Sequence, residues 1–107
     1  GSAMKFESPD RSGWIEVYAI PAQPVNLQDF SSSWSGERGF SMVEKGWGRI
    51  NSEDYFRTVC KGRNNRISET RMFSRKGVVI IVSGYSGKNK ARYMNGIIEK
   101  LFSGIIF

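Results

Sequence analysis

The chain has 107 residues, 39% hydrophobic, 13% aromatic and 24% charged, with a formal net charge of +6. At ~100–150 residues per domain one domain is expected, and no apolar run reaches the ~18–20 residues of a membrane span, so a multidomain enzyme, a channel or a disordered tail is disfavoured. Histidine is absent and cysteine occurs once, which removes the commonest acid–base group and metal ligand, any zinc cluster and any intramolecular disulfide.

Gly1-Ser2-Ala3-Met4 has the look of a cloning remnant and is set aside, leaving 5–107 as a single domain. Because an upstream signal peptide or lipid anchor could have been trimmed, this start carries no information on location. Residues 5–13 read as an extended lead-in and a turn. Trp14–Ile20 alternates as a strand, with Ile15, Val17 and Ala19 on one face, and Pro21 and Pro24 end it. Asn26 is a candidate N-cap, with Asp29 placed well for the helix dipole. Leu27, Phe30, Ser31 and Trp34 then have i, i+3, i+4, i+7 spacing, which predicts a helix of about two turns that needs a sheet to pack on.

After a loop at Ser35–Gly39 the chain returns to strand character at Phe40. A turn or bulge is expected at Gly46-Trp47-Gly48, a short strand at Arg49–Asn51 and a turn at Asn51–Asp54. Tyr55–Cys60 is a strand in which Cys60 reads as a small buried hydrophobe. Lys61–Asn65 is a hairpin connection rich in residues that tolerate positive φ. Arg66–Ser74 has mixed faces, which predicts a solvated strand with a bulge near Met72–Phe73. Arg75-Lys76-Gly77 is a tight turn, and Val78–Tyr85 is apolar on both faces, the mark of a covered central strand. Asn89 is a candidate cap for a last helix. Its stripe runs through Met94, Ile97, Ile98, Leu101 and Phe102 and stops at Ser103-Gly104, leaving Ile105–Phe107 as an apolar tail that packs internally or self-associates.

This order of elements is α+β. The expectation is an antiparallel sheet of about five strands, with a short helix from the first half and a longer C-terminal helix packed on one face.

Chemistry is harder to find. Gly46-Trp47-Gly48 lacks the spacing of a phosphate loop. Glu53 and Asp54 are adjacent in a turn, where neighbouring side chains diverge. Serines such as Ser83 have no histidine to activate them. No catalytic residue, metal ligand or cofactor is therefore assigned. Charge is more informative: residues 1–54 hold five basic and eight acidic side chains, and residues 55–107 hold eleven basic and two acidic. Arg57, Arg63, Arg66, Arg71, Arg75 and Lys76 form a candidate basic surface, with Trp34, Trp47 and Tyr55 as aromatic candidates. Such a surface suits an acidic protein, a nucleic acid or an anionic membrane; a solvated face that keeps the chain soluble is the plainer reading.

Several segments together resemble the PsbP-like group of small domains, which includes bacterial periplasmic proteins and lipoproteins of the DcrB type. They are Trp14–Ile20, Leu27–Trp34, and Gly48-Arg49-Ile50-Asn51 leading into Tyr55–Cys60. Arg71-Met72-Phe73-Ser74-Arg75-Lys76-Gly77-Val78-Val79-Ile80-Ile81-Val82-Ser83 is similar to the group's strand pair around a glycine turn, and Tyr93–Phe102 is similar to its closing helix. The usual Ser-Phe ending is replaced by Ser103-Gly104. At the entry, only Ser8-Pro9…Gly13-Trp14 matches. The resemblance covers most of the chain and implies a non-catalytic, extracytoplasmic (periplasm or envelope) role docking a protein partner. It carries over no catalytic residue. A nucleic-acid-binding module using the same basic and aromatic side chains is the alternative.

Overall fold

The computed structural model describes residues 2–8, 12–21 and 26–106. The elements in chain order are β1 (Ser2–Glu7), β2 (Gly13–Pro21), α1 (Leu27–Glu37), β3 (Ser41–Ile50), β4 (Glu53–Lys61), β5 (Arg66–Arg75), β6 (Val78–Gly87), a 3-10 turn (Lys88–Lys90) and α2 (Ala91–Ile106). The strands form one six-stranded sheet in the order β1-β2-β6-β5-β4-β3, every pair antiparallel. Turn chemistry explains the hairpins. Asn51 and Ser52, and Lys76 and Gly77, take positive φ in two-residue loops, the conformation that matches strand twist there, and Asn64 and Asn65 take it in the four-residue connection between β4 and β5.

The expectation of both helices on one face is overturned. Ile15, Phe73 and Val82 pack with Met94, Ile98 and Phe102 of α2. Their strand neighbours Phe56, Met72, Val79 and Ile81 pack with Leu27 and Trp34 of α1. Successive strand residues point to opposite faces, so the two helices sandwich the sheet. The reason was visible in β6: a strand apolar on both sides needs cover on both sides.

α1 is capped as expected, with Asn26 Oδ1 accepting from the amides of Gln28 and Asp29 at 2.9 and 3.2 Å. Two of its serines, Ser31 and Ser35, face the sheet where room is short, Ser31 being fully buried, while Ser32 and Ser33 are exposed. α2 sits close because β6 carries Gly84, where a Cβ would collide with Ile98 and Met94.

Other expectations need correction. The set-aside start and the lead-in contain β1, an edge strand paired with β2 from Ser2↔Ala19 to Glu7↔Trp14. β3 is one continuous strand, and its irregularity lies between Met42 and Glu44 instead of at the glycines. β5 runs in unbroken register with β6 through Met72 and Phe73 and is buried from Ser68 to Phe73, so it is neither bulged nor solvated: its polar side chains are covered by the helices and paired. Asn89 lies inside the 3-10 turn and not at a cap. α2 continues through Ser103-Gly104 to Ile106. The side chains of 105–107 lie outside the described residues, and so do Pro9 and Pro24.

Candidate functional site

The face covered by α2 contains a groove. The β1–β2 register sets Phe6 beside Ile15 and Met4 beside Val17 on that face. Tyr93 and Ile97 of α2 form the facing wall, leaving a groove of about 730 Å³ whose far end holds Ser8, Ser12, Asn89 and Lys90. Phe6 and Tyr93 are 51% and 71% exposed, so the mouth is lined with apolar surface in contact with water. Lys90 Nζ donates to Ser12 Oγ at 3.3 Å and ties the start of α2 to the start of β2.

Beside this groove, still under α2, lies a charged cluster. Glu69 and Arg71 are buried on β5. Arg57 donates from Nη2 to Glu69 Oε1 at 3.0 Å and from Nη1 to Glu44 Oε1 at 2.9 Å. Arg71 Nε lies 3.4 Å from Glu69 Oε2, an ion pair without hydrogen-bond alignment, and its Nη2 donates to Asn95 Oδ1 of α2 at 3.3 Å. Burial works against the charge on Arg57, but its hydrogen bond to Glu44 and the nearby Glu69 charge outweigh it and raise its pKa.

On the face covered by α1, Trp14 stacks on Tyr85 with ring centroids 4.9 Å apart, and Lys5 and Arg66 both lie 5.2 Å from the Trp14 ring centre. Burial first, and Glu16 second, push the Tyr85 phenol up to about 12. At the far edge, Lys45, Trp47 and Arg49 alternate along β3 and share this same face. All three are exposed, Trp47 at 53%. Trp47 rests on Phe56, ring centroids 5.1 Å apart, above a hollow of about 470 Å³ bordered by Asn26, Leu27, Gln28, Asp54 and Ser74.

The structure disperses the basic residues singled out from sequence. Arg57, Arg71 and Arg75 share the α2 face, but each is paired with a carboxylate: Glu44 and Glu69, Glu69, and Glu53 at 2.7 Å. Arg66 is half-buried on the other face. Arg63 and Lys76 are exposed in turns at opposite ends of β5. Of the aromatics, Trp34 is a core residue, 8% exposed, under Arg38 at 3.3 Å from its ring centre. Tyr55 is half-buried between Gly48, where a Cβ would meet its ring, and Phe102, 5.0 Å away edge-on. Trp47 alone of the three is presented to solvent. Cys60 is fully buried as expected, its Sγ donating to Ser35 Oγ at 3.4 Å.

Sequence reasoning missed the groove. Its signal was an α2 stripe wider than one sheet contact covers, running from Tyr93 and Met94 through Ile97 and Ile98. The alternation of Met4 and Phe6 within the segment read as lead-in was the second clue.

Two solved structures share the arrangement. A Pseudomonas aeruginosa protein of unknown function matches with a TM-score of 0.69 at 11% identity, over 95% of this chain and 78% of that one. Cyanobacterial PsbP, CyanoP, from Synechocystis sp. PCC 6803 matches with a TM-score of 0.68 at 7% identity, over 94% of this chain and 79% of that one. The fold is PsbP-like. At these identities the likeness establishes the fold alone. No family model and no curated protein matches the sequence. No helix of this PsbP-like domain is long and apolar enough to cross a membrane, among the described residues.

Proposed function

We propose that the chain is a non-catalytic binding domain of the bacterial cell envelope that docks an acidic protein partner on the exposed face of β3. The observation that carries this reading is the Lys45–Trp47–Arg49 stripe, a half-exposed indole between two exposed cations beside a hollow. A buried aromatic anchor ringed by charge is how a few residues come to dominate an interface, and cations of this kind speed the approach of an acidic surface. The arginines of β4 and β5 favour the same placement indirectly. With Arg57, Arg71 and Arg75 held by carboxylates and Arg49 itself 3.6 Å from Asp54, the positive charge open to a partner centres on Lys45 of β3 and on the turns. The envelope location rests on the resemblance of the sequence to the PsbP-like group.

The test is a photo-crosslinking residue at position 47, compared with one at Tyr93, in envelope fractions of the source bacterium. A defined protein adduct is expected from position 47 only, and lost when Lys45 and Arg49 are both changed to Glu. An adduct that survives the charge reversal would sink the electrostatic reading. Nucleic acid in place of protein at position 47, with a steep salt dependence, would replace it by the nucleic-acid-binding alternative.

A further inference from the structure

The sheet ends in two edge strands, and they are built differently. The β3 register shifts between Met42 and Glu44, a break of the kind that keeps an edge from pairing. β1 runs along β2 in unbroken register from Ser2↔Ala19 to Glu7↔Trp14. One step beyond, the Ser8 amide donates to the Gly13 carbonyl oxygen at 2.9 Å. Hydrogen-bonded pairs alternate along an antiparallel ladder, so Phe6 and Met4 also turn their amides to β2. Lys5 and Glu7 turn theirs outward, to the edge. On the α2 face beside that edge, Met4 and Phe6 are exposed, apolar surface of the kind an interface covers.

A lysine on an edge ordinarily repels a second strand. Here the spacing of Lys5, Phe6 and Glu7 makes the edge complementary to itself. An antiparallel ladder between two copies must set outward-turned residues opposite one another. Lys5 opposite Lys5, or Glu7 opposite Glu7, puts like charges face to face. Met4 opposite Met4 sets Lys5 against Ala3, with no charge pair. With Phe6 opposite Phe6, Lys5 of each copy meets Glu7 of the other. Glu7 also lies 4.0 Å from Lys5 of its own chain. It need not give up contacts within its chain, because an ionised carboxylate accepts at about four sites.

We propose that β1 is a dimerisation edge, on which a second copy of this chain pairs antiparallel about a two-fold axis at Phe6. Lys5 and Glu7 exchange backbone hydrogen bonds and charges across the axis. The two Phe6 rings meet on the α2 face, and the sheet runs on through both copies. β1 and β3 are opposite ends of the sheet, so the pairing stands or falls independently of docking at Trp47.

The test is sedimentation equilibrium of the whole chain over a concentration series. A mass that rises from one chain to two is expected. Lys5→Glu alone and Glu7→Lys alone should each weaken self-association at least about tenfold, since both charge pairs turn repulsive. The two variants mixed should associate with each other as tightly as the unchanged chain does with itself. Oxidised glutathione should link Phe6→Cys into a dimer. The Cα atoms of such a pair, whose amides turn away from each other, sit ~4.5 Å apart, within disulfide reach. Met4→Cys, opposite Ser8 of the second copy, should stay unlinked, and buried Cys60 should not compete. A single-chain mass at every concentration would overturn the proposal. So would a dimer indifferent to Lys5→Glu, a mixture that fails to associate, or linkage through Met4→Cys in place of Phe6→Cys.

Discussion

The two faces of the sheet solve the same problem with different chemistry. Under α1 the buried polar groups of β4, β5 and β6 are hydroxyls: Thr58, Thr70 and Ser83 are at most 1%, 3% and 0% exposed, and Thr70 and Ser83 hydroxyls meet at 2.8 Å. Under α2 they include charges, Glu69 and Arg71 at 6% and 5% exposure, beside the Ser86 hydroxyl. A hydroxyl pair loses little water and regains it in one bond. A charge pair loses several times more and is held only while both partners stay. The face under α1 is therefore tolerant, and the face under α2 is specific. Arg71, by reaching Asn95, also helps fix the seat of α2 and with it the wall of the groove.

The sharpest break in this contrast is Glu69→Leu. It strands Arg71 beneath α2 with Asn95 as its hydrogen-bond acceptor, and denaturant unfolding should show a loss of about 3–5 kcal/mol. Changing Arg71 to Leu in the same chain should recover most of that loss, because a buried pair replaced whole by apolar side chains is often neutral. If the double variant were as unstable as the single one, the cluster would be contributing more than mutual neutralisation.

The matching change under α1, Thr70→Val, removes one side of the hydroxyl pair and should lower stability by about 1 kcal/mol. A loss as large as that of Glu69→Leu would erase the distinction between the faces.

The smallest effect at neutral pH belongs to Tyr85, and it emerges only in alkali. Its phenol is raised from 10.0 to about 12 in the folded chain. The unfolded chain therefore releases this proton first. The stability tied to it is fully present below pH 10 and lost as pH rises through about 12. Unfolding curves collected across that window should fall less steeply for Tyr85→Phe than for the unchanged chain. Ultraviolet titration should find one of the four tyrosines ionising late, and that late step should vanish in the variant.

Much of the fold was legible because it is written in short-range chemistry. Alternation marks β2 and β4, a run apolar on both faces marks β6, Asn26 caps α1, and the turn residues place three hairpins. These signals concern residues a few positions apart, and the backbone answers them locally. β5 misled for the opposite reason. Glu69 and Arg71 look solvated on their own strand, and only Arg57 and Glu44 on β4 and β3, with Asn95 on α2, explain how they come to be buried. The basic run from Arg57 to Lys76 failed as a surface on the same account, since adjacent strand residues part to opposite faces and the cations meet carboxylates, Arg57 and Arg75 across strands and Arg71 the Glu69 of its own strand.

By itself, then, the sequence determined the α+β class, the element order from β2 onward, the central place of β6 and the burial of Cys60, because periodicity, capping and turn propensity are properties of neighbours along the chain. Only the tertiary structure decided that the helices take opposite faces, that Trp34 is core while Trp47 is exposed, and that Phe6 and Tyr93 border one groove. Those outcomes depend on which faces meet across distant strands, and burial and charge pairing are settled by that meeting alone.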